Sequence, residues 1–194
     1  MRRSHRSAPS FFHCMLTLVM TWTIVAAPSL HAQKSGPTEN EVKSAYLYNF
    51  GKFVEWPAKA RSVGEFFTIC VLGDDSFGST LETTISRESI TGKKVLVKRV
   101  AKSQDSMSCR ILFISSTQQS HLKDILADLE KTSVLTVSDM PDFTRRGGMI
   151  QFVLEANKVR FEVNLTSAER TGLALSSQLL KVAIDVKRSV QPGG

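Results

Sequence analysis

Apolar side chains recur along this chain with a period that changes from stretch to stretch, and each period names an element. From Glu39 onward Val42, Ala45, Tyr46, Asn49, Phe50, Phe53 and Val54 fall at spacings of three and four, the repeat of a helix with one buried face. Glu39 and Glu41 lie where the helix dipole favours acids. Trp56-Pro57 ends the helix, because proline disfavours helical backbone in the residue before it. Residues 66–72 (FFTICVL) are apolar almost throughout and stop at Gly73-Asp74-Asp75, which reads as a strand buried on both faces and then a turn. A short helix is expected over 76–86 with Leu81 and Ile85 inward, capped by Asp75 or Ser76, and strands over 95–100 and 111–114. Residues 120–131 place Leu122, Ile125, Leu126 and Leu129 on one helical face with the charges opposite, and residues 134–137 read as a fourth strand.

The last third changes character. Residues 149–154 and 159–165 flank Ala156-Asn157-Lys158, as the arms of a hairpin do. In the second arm Val159, Phe161, Val163 and Leu165 alternate with Arg160, Glu162 and Asn164, so one face is apolar and the other polar. Thr166-Ser167-Ala168-Glu169 matches a capping box, and a final helix is expected from Ser176 to about Lys187 with Leu179, Leu180, Ala183 and Ile184 inward. Buried strands alternating with helices argue for a parallel sheet covered on both sides. The expected fold is therefore α/β, a three-layer Rossmann-like sandwich with a mainly parallel sheet and a C-terminal β-hairpin.

The first 32 residues stand apart. Arg2, Arg3 and Arg6 precede a stretch poor in charge over 11–27, and Pro28 and the small residues up to Ala32 follow. This three-part build is that of a cleavable secretory signal peptide over 1–32. The rival is a membrane anchor, although the apolar stretch is at the short edge for spanning a bilayer. Residues 33–40 then form a flexible leader, 41–188 one α/β domain and 189–194 a disordered tail. The intact chain carries 25 basic and 18 acidic residues, a net charge of +7. Cleavage takes three arginines and no acid, leaving +4. That surplus is spread out, whereas a nucleic-acid surface needs a concentrated basic stripe.

Export also decides the chemistry that remains. Of the four histidines, His5, His13 and His31 leave with the signal and only His121 stays. One histidine does not build a zinc site, and no Gly-x-Ser-x-Gly elbow is present. No catalytic set, metal site or cofactor is expected. Cys70 and Cys109 survive cleavage, and in an oxidising compartment such a pair is expected to form a disulfide. Gly73-Asp74-Asp75-Ser76-Phe77-Gly78 lies where a phosphate loop would, but its acids repel phosphate and it has no lysine. Arg145 and Arg146, in the loop after the fourth strand, read either as a clamp for a carboxylate or phosphate ligand or as part of a solvated turn. Tyr48, Lys52 and Trp56 fall at i, i+4 and i+8 on the first helix and read either as an exposed aromatic and cationic binding surface or as a packing plug at the helix end.

The residues V42-KSAYLYNF-50 with K52-FVEWP-57, then Cys70-Val71-Leu72-Gly73-Asp74, Val134 to Asp139 (VLTVSD), Gly147-Gly148-Met149-Ile150, Arg160 to Leu165 (RFEVNL) and Ser176 to Lys181 (SSQLLK) resemble, in order, the YfiR family of periplasmic regulators. The resemblance runs from about Glu41 to Lys187. It implies a periplasmic protein that restrains an inner-membrane diguanylate cyclase by binding the cyclase's periplasmic sensor domain. An outer-membrane lipoprotein relieves that restraint, so that cyclic-di-GMP and biofilm formation rise. It implies dimer formation and redox tuning, with a disulfide at the positions of Cys70 and Cys109. Some members carry a second cysteine pair near the positions of Thr144 and Gln151, which this chain lacks. The polar face of Arg160, Glu162 and Asn164 is expected to meet a protein partner, as is the Tyr48, Lys52, Trp56 face. The alternative is a periplasmic small-molecule binding protein with its ligand by Arg145, Arg146 or Trp56.

Overall fold

A computed structural model describes residues 36–61 and 64–188; the expected signal peptide, the start of the leader and the expected tail lie outside them. The first part of the chain forms α1 (Glu39–Phe53), β1 (Val54–Glu55), α2 (Ala58–Arg61), β2 (Phe67–Leu72), α3 (Thr80–Ile85), β3 (Ser89–Ile90) and β4 (Lys93–Val100). After a 3₁₀ turn at Ser103–Ser106 come β5 (Ile111–Ile114), a second 3₁₀ turn at Ser116–His121, α4 (Leu122–Leu129) and β6 (Leu135–Ser138). The chain closes with β7 (Ile150–Glu155), β8 (Lys158–Asn164), α5 (Leu165–Arg170), β9 (Ala174–Leu175), α6 (Ser177–Val182) and β10 (Asp185–Lys187).

One eight-stranded sheet has the order β10-β8-β7-β6-β5-β2-β4-β3, and β1 pairs with β9 in a small second sheet. The pairs β4/β2, β2/β5, β5/β6, β6/β7 and β8/β10 are parallel, while β7/β8 and β3/β4 are antiparallel. The hairpin turns through Ala156 and Asn157 at φ 47° and 59°, the positive values that a tight two-residue connection requires. Successive residues of the central strands point to opposite layers. Ile69, Val71, Ile111 and Phe113 join α1 and α3 in one core, while Cys70, Leu72, Leu112 and Ile114 join α4 in the other. The three-layer α/β sandwich is thus present.

Several local expectations give way to tertiary contacts. The face α1 buries is Lys43, Ser44, Leu47, Phe50 and Gly51, rotated from the stripe read through Tyr46 and Phe53, which are half-buried. Polar Lys43 and Ser44 lie inside because each finds a partner there: Ser44 donates to the Asn40 carbonyl and Lys43 to Asp139. The expected helix over 76–86 starts only at Thr80; Asp75 instead accepts from the Phe77 N–H. Asn164, not Thr166, caps α5, its side chain accepting from Ser167 N–H at 3.0 Å. The expected last helix stops at Val182, and Asp185–Lys187 forms β10 alongside Glu162, Val163 and Asn164 of β8. Ile184 is consequently exposed rather than inward. Edge pairing of three residues carries no sequence period, whereas the helical spacing continues through it.

Cys70 in β2 and Cys109 just before β5 form a disulfide with their Cα atoms 6.0 Å apart, 39 residues apart in sequence. Both are buried in the α4-side core. Gly148 is required by contact: a Cβ there would lie 2.2 Å from the ring of buried Phe143.

Candidate functional site

The polar face of β8 points into the α4-side layer and is built from four elements. Glu162 meets Lys187 of β10 at 2.7 Å and accepts from the Thr144 hydroxyl at 3.2 Å. Lys187 also donates to the Thr144 oxygen at 2.9 Å. Asn164 donates to the Thr144 carbonyl at 2.8 Å while its oxygen caps α5. Gln151 of β7 accepts from Thr144 N–H at 3.3 Å. The hydrogen bond from Lys187 is the main cause that holds the Glu162 carboxyl below its ordinary pKa; burial opposes it. Glu162 is therefore an ionised, anchored acceptor at neutral pH. Thr144 and Gln151, named above for the second cysteine pair of some relatives, are in direct contact through this hydrogen bond.

Of the three residues expected on this face, Arg160 alone is exposed; Glu162 and Asn164 are half-buried and occupied within the chain. Lys187, Thr144 and Gln151 were not singled out by their chemistry. Lys187 sat in a presumed helix, so nothing in the sequence set it beside Glu162.

Tyr48, Lys52 and Trp56 do not make the exposed surface expected of them. Lys52 is exposed and lies over the Tyr48 ring at 5.3 Å, and Tyr48 pairs with Glu88, which raises the phenol pKa. Trp56 is 6% exposed and stands edge-on to Phe67 at 5.4 Å; as a wall of the core it is a plug. The packing of α1 on the opposite side of the sheet from Arg160 also separates the two groups.

Arg145 and Arg146 do not converge on one ligand position. Arg145 is exposed and pairs with Asp142 at 3.1 Å. Arg146 donates to the Gln119 carbonyl at 2.8 Å and borders a recess of about 200 Å³ with Leu126, Thr136, Met149 and Arg170.

The carboxyl ends of β5 and β6, where α/β sheets place ligands, carry a feature the sequence reading passed over. Buried Lys43 bridges Glu39 and Asp139, each at 2.7 Å. Burial works against its charge, but the two carboxylates outweigh it and the lysine pKa is raised. Lys43, Asp139, Ser116, Phe152 and Leu154 border a crevice of about 320 Å³. The spacing of Glu39 to Lys43 was the available signal, an i,i+4 pair on a helix. Among the described residues no three of His, Cys, Asp and Glu gather into a metal-binding group, and no helix is long and apolar enough to cross a membrane.

A family model described as YfiR/HmsC-like matches residues 40–184. No curated protein matches the chain. Among solved structures, a conserved domain protein from Vibrio cholerae superposes with a TM-score of 0.54 at 13% identity, covering 77% of this chain and 60% of that one. The present chain thus spans about 60% of that protein's length, and the likeness is one of fold. An ABC domain from Streptococcus pneumonia in complex with L-Trp shares 13% identity over 62% of this chain and 55% of its own, with a TM-score of 0.47.

Proposed function

Because the chain belongs to the YfiR/HmsC-like family, we propose that it is a periplasmic regulatory protein that restrains a membrane diguanylate cyclase by binding the cyclase's periplasmic sensor domain. An outer-membrane lipoprotein that captures it relieves the restraint, and cyclic-di-GMP and biofilm output rise. The observation that carries this reading is the family match over residues 40–184, nearly all of the expected mature domain. The signal-like first 32 residues and the Cys70–Cys109 disulfide agree with export, since such bonds persist in oxidising compartments.

The contact surface we assign is the polar face of β8 where it opens to solvent at Arg160. Arg160 is its exposed member, and Glu162 and Asn164 hold it through Lys187 and Thr144. A rim arginine gives orientation and encounter rate to a protein contact. The test is native mass spectrometry of the purified chain mixed with the periplasmic sensor domain of a membrane diguanylate cyclase from the same organism. A stoichiometric complex is expected, with Arg160→Glu weakening it about tenfold and leaving thermal unfolding unchanged. Absence of any complex with the wild-type chain overturns the reading. Glu162→Lys tests the same surface only if its fold is checked, because it sets two lysines side by side. If the folded variant binds as well as wild type, Glu162 is not part of the contact.

A further inference from the structure

Strand β4 has β2 on its inner side, paired without a break from Val95 to Val100, but its outer neighbour covers only its start. β3 pairs with Lys93 and Lys94, and one more bond runs from Val95 N–H to the Glu88 carbonyl at 3.2 Å. Backbone groups of successive strand residues point to alternate sides. Val95 bonds outward, so Val97 and Arg99 also turn their N–H and C=O groups outward. Among the described residues no strand or loop bonds to them there. The stretch carries no proline and no bulge, two of the usual means of closing an edge to further pairing. Its side chains alternate as well. Val95 and Val97 pack against the α1-side core, and Arg99 is held by Asp75 and Glu82. The opposite face presents Lys94, Leu96 and Lys98, all exposed. Among the described residues neither of these lysines has an ion pair or a hydrogen bond.

From this open edge and its unpaired lysines we infer that β4 is a docking edge for an extended acidic segment of a partner protein, added to the sheet as a further strand beside residues 96–100. Main-chain bonds to Val97 and Arg99 supply the attachment, and side chains set the choice of partner. An acid opposite Lys98 faces it directly, and one opposite Leu96 lies diagonal to both lysines, within reach across a strand pair. On the other face a β-branched residue opposite Val97 extends the apolar layer. The fitting segment therefore alternates acidic and β-branched residues. A second copy of this chain fits less well, because β4 laid against β4 brings two more lysines to the same face, and like charges across a pair oppose it. The edge lies at the other end of the sheet from β8, so it stands or falls separately from the contact proposed there.

The probe is the capped peptide Thr-Glu-Val-Glu-Val-Glu-Thr, titrated into the isotope-labelled chain and followed by backbone amide NMR. Saturable shifts are expected at Val97 and Arg99, with half-saturation below about 2 mM, together with slower hydrogen exchange of those amides. The lysine counterpart, Thr-Lys-Val-Lys-Val-Lys-Thr, is expected to bind about tenfold more weakly. A similar loss is expected for Thr-Glu-Pro-Glu-Pro-Glu-Thr, which keeps the charges but lacks the N–H groups that would face β4. Lys94→Glu/Lys98→Glu changes only exposed positions, so its thermal midpoint should hold while its preference reverses and the lysine peptide binds better than the acidic one. No saturable shift at Val97 and Arg99 overturns the proposal, as does equal binding of the acidic and lysine peptides by the wild-type chain. Undiminished binding of the proline peptide would reduce the contact to charge alone and overturn the added strand. If dilution of the chain, and not the peptide, moves the Val97 and Arg99 signals, the edge belongs to a second copy and the proposal falls.

Discussion

Asn164 illustrates how much one side chain does here. Its oxygen caps α5 and its amide ties the Thr144 carbonyl to β8. Asn164→Ala removes both and is expected to cost about 1–2 kcal/mol, as loss of an N-cap usually does. Urea unfolding monitored by circular dichroism measures it. Asn164→Asp keeps the capping oxygen and should recover most of that loss, and equal losses for the two would show that the amide tie dominates. Glu162 adds a pH dependence whose sign follows from its depressed pKa. A carboxyl held lower in the folded than in the unfolded chain stabilises the fold above its unfolded pKa of about 4.3, and that contribution disappears as pH falls through the folded value. Lys187 is the chief cause of the depression. Lys187→Met is therefore expected to destabilise by about 1 kcal/mol at neutral pH, the size of a partly exposed ion pair. The gap between variant and wild type should close as pH drops below about 4. A gap that stays constant from pH 7 to pH 3 would assign the effect to packing of the lysine stem.

Among the elements, β2 is tied by the disulfide to the segment that leads into β5, across a separation of 39 residues. In the chain-entropy account, closing a loop of that length stabilises by about 3–4 kcal/mol. The bond is buried among Leu72, Leu112 and Ile125 in the α4-side core, so reduction also leaves two thiols to be packed there. Reduction is expected to lower the melting temperature by roughly 6–16 °C, taking a domain of this size to lose about 2–4 °C for each kcal/mol. Calorimetry with and without a thiol reductant checks this, and a Cys70→Ala/Cys109→Ala protein should melt near the reduced wild type. A reduced protein that melts within about 2 °C of the oxidised one would show that the unfolded chain gains little freedom when the link is cut.

The layered architecture was readable from the sequence because its signals are local and redundant: the apolar runs at β2, β5 and β6, the alternation along β8, the helical face of α4. What was not readable depends on partners far along the chain. The burial of Lys43 requires Asp139, 96 residues away, and no window centred on α1 contains it. Tryptophan beside proline reads equally as a surface anchor or a plug, and only contact with Phe67 decides. The helical spacing of 176–187 was real but was overridden after Val182 by three residues pairing with β8. These cases also predict where the fold is weakest. Strands β2, β5 and β6 have neighbours on both sides and are buried almost throughout, so their amides should exchange only through near-global opening. At the sheet's ends, β10 and β3 are only three and two residues long, and each has a neighbour on one side alone. Native-state hydrogen exchange is expected to show β10 opening at least about 2–3 kcal/mol below β5, with Lys187→Met widening that difference and Arg160→Glu leaving it unchanged. Detachment of β10 would bare the β8 edge beside Arg160, so a bound sensor domain on that surface should slow exchange at 185–187. If β10 proves as protected as β5 in the free protein, the strand belongs to the global unit and its three-residue pairing is far stronger than its length indicates.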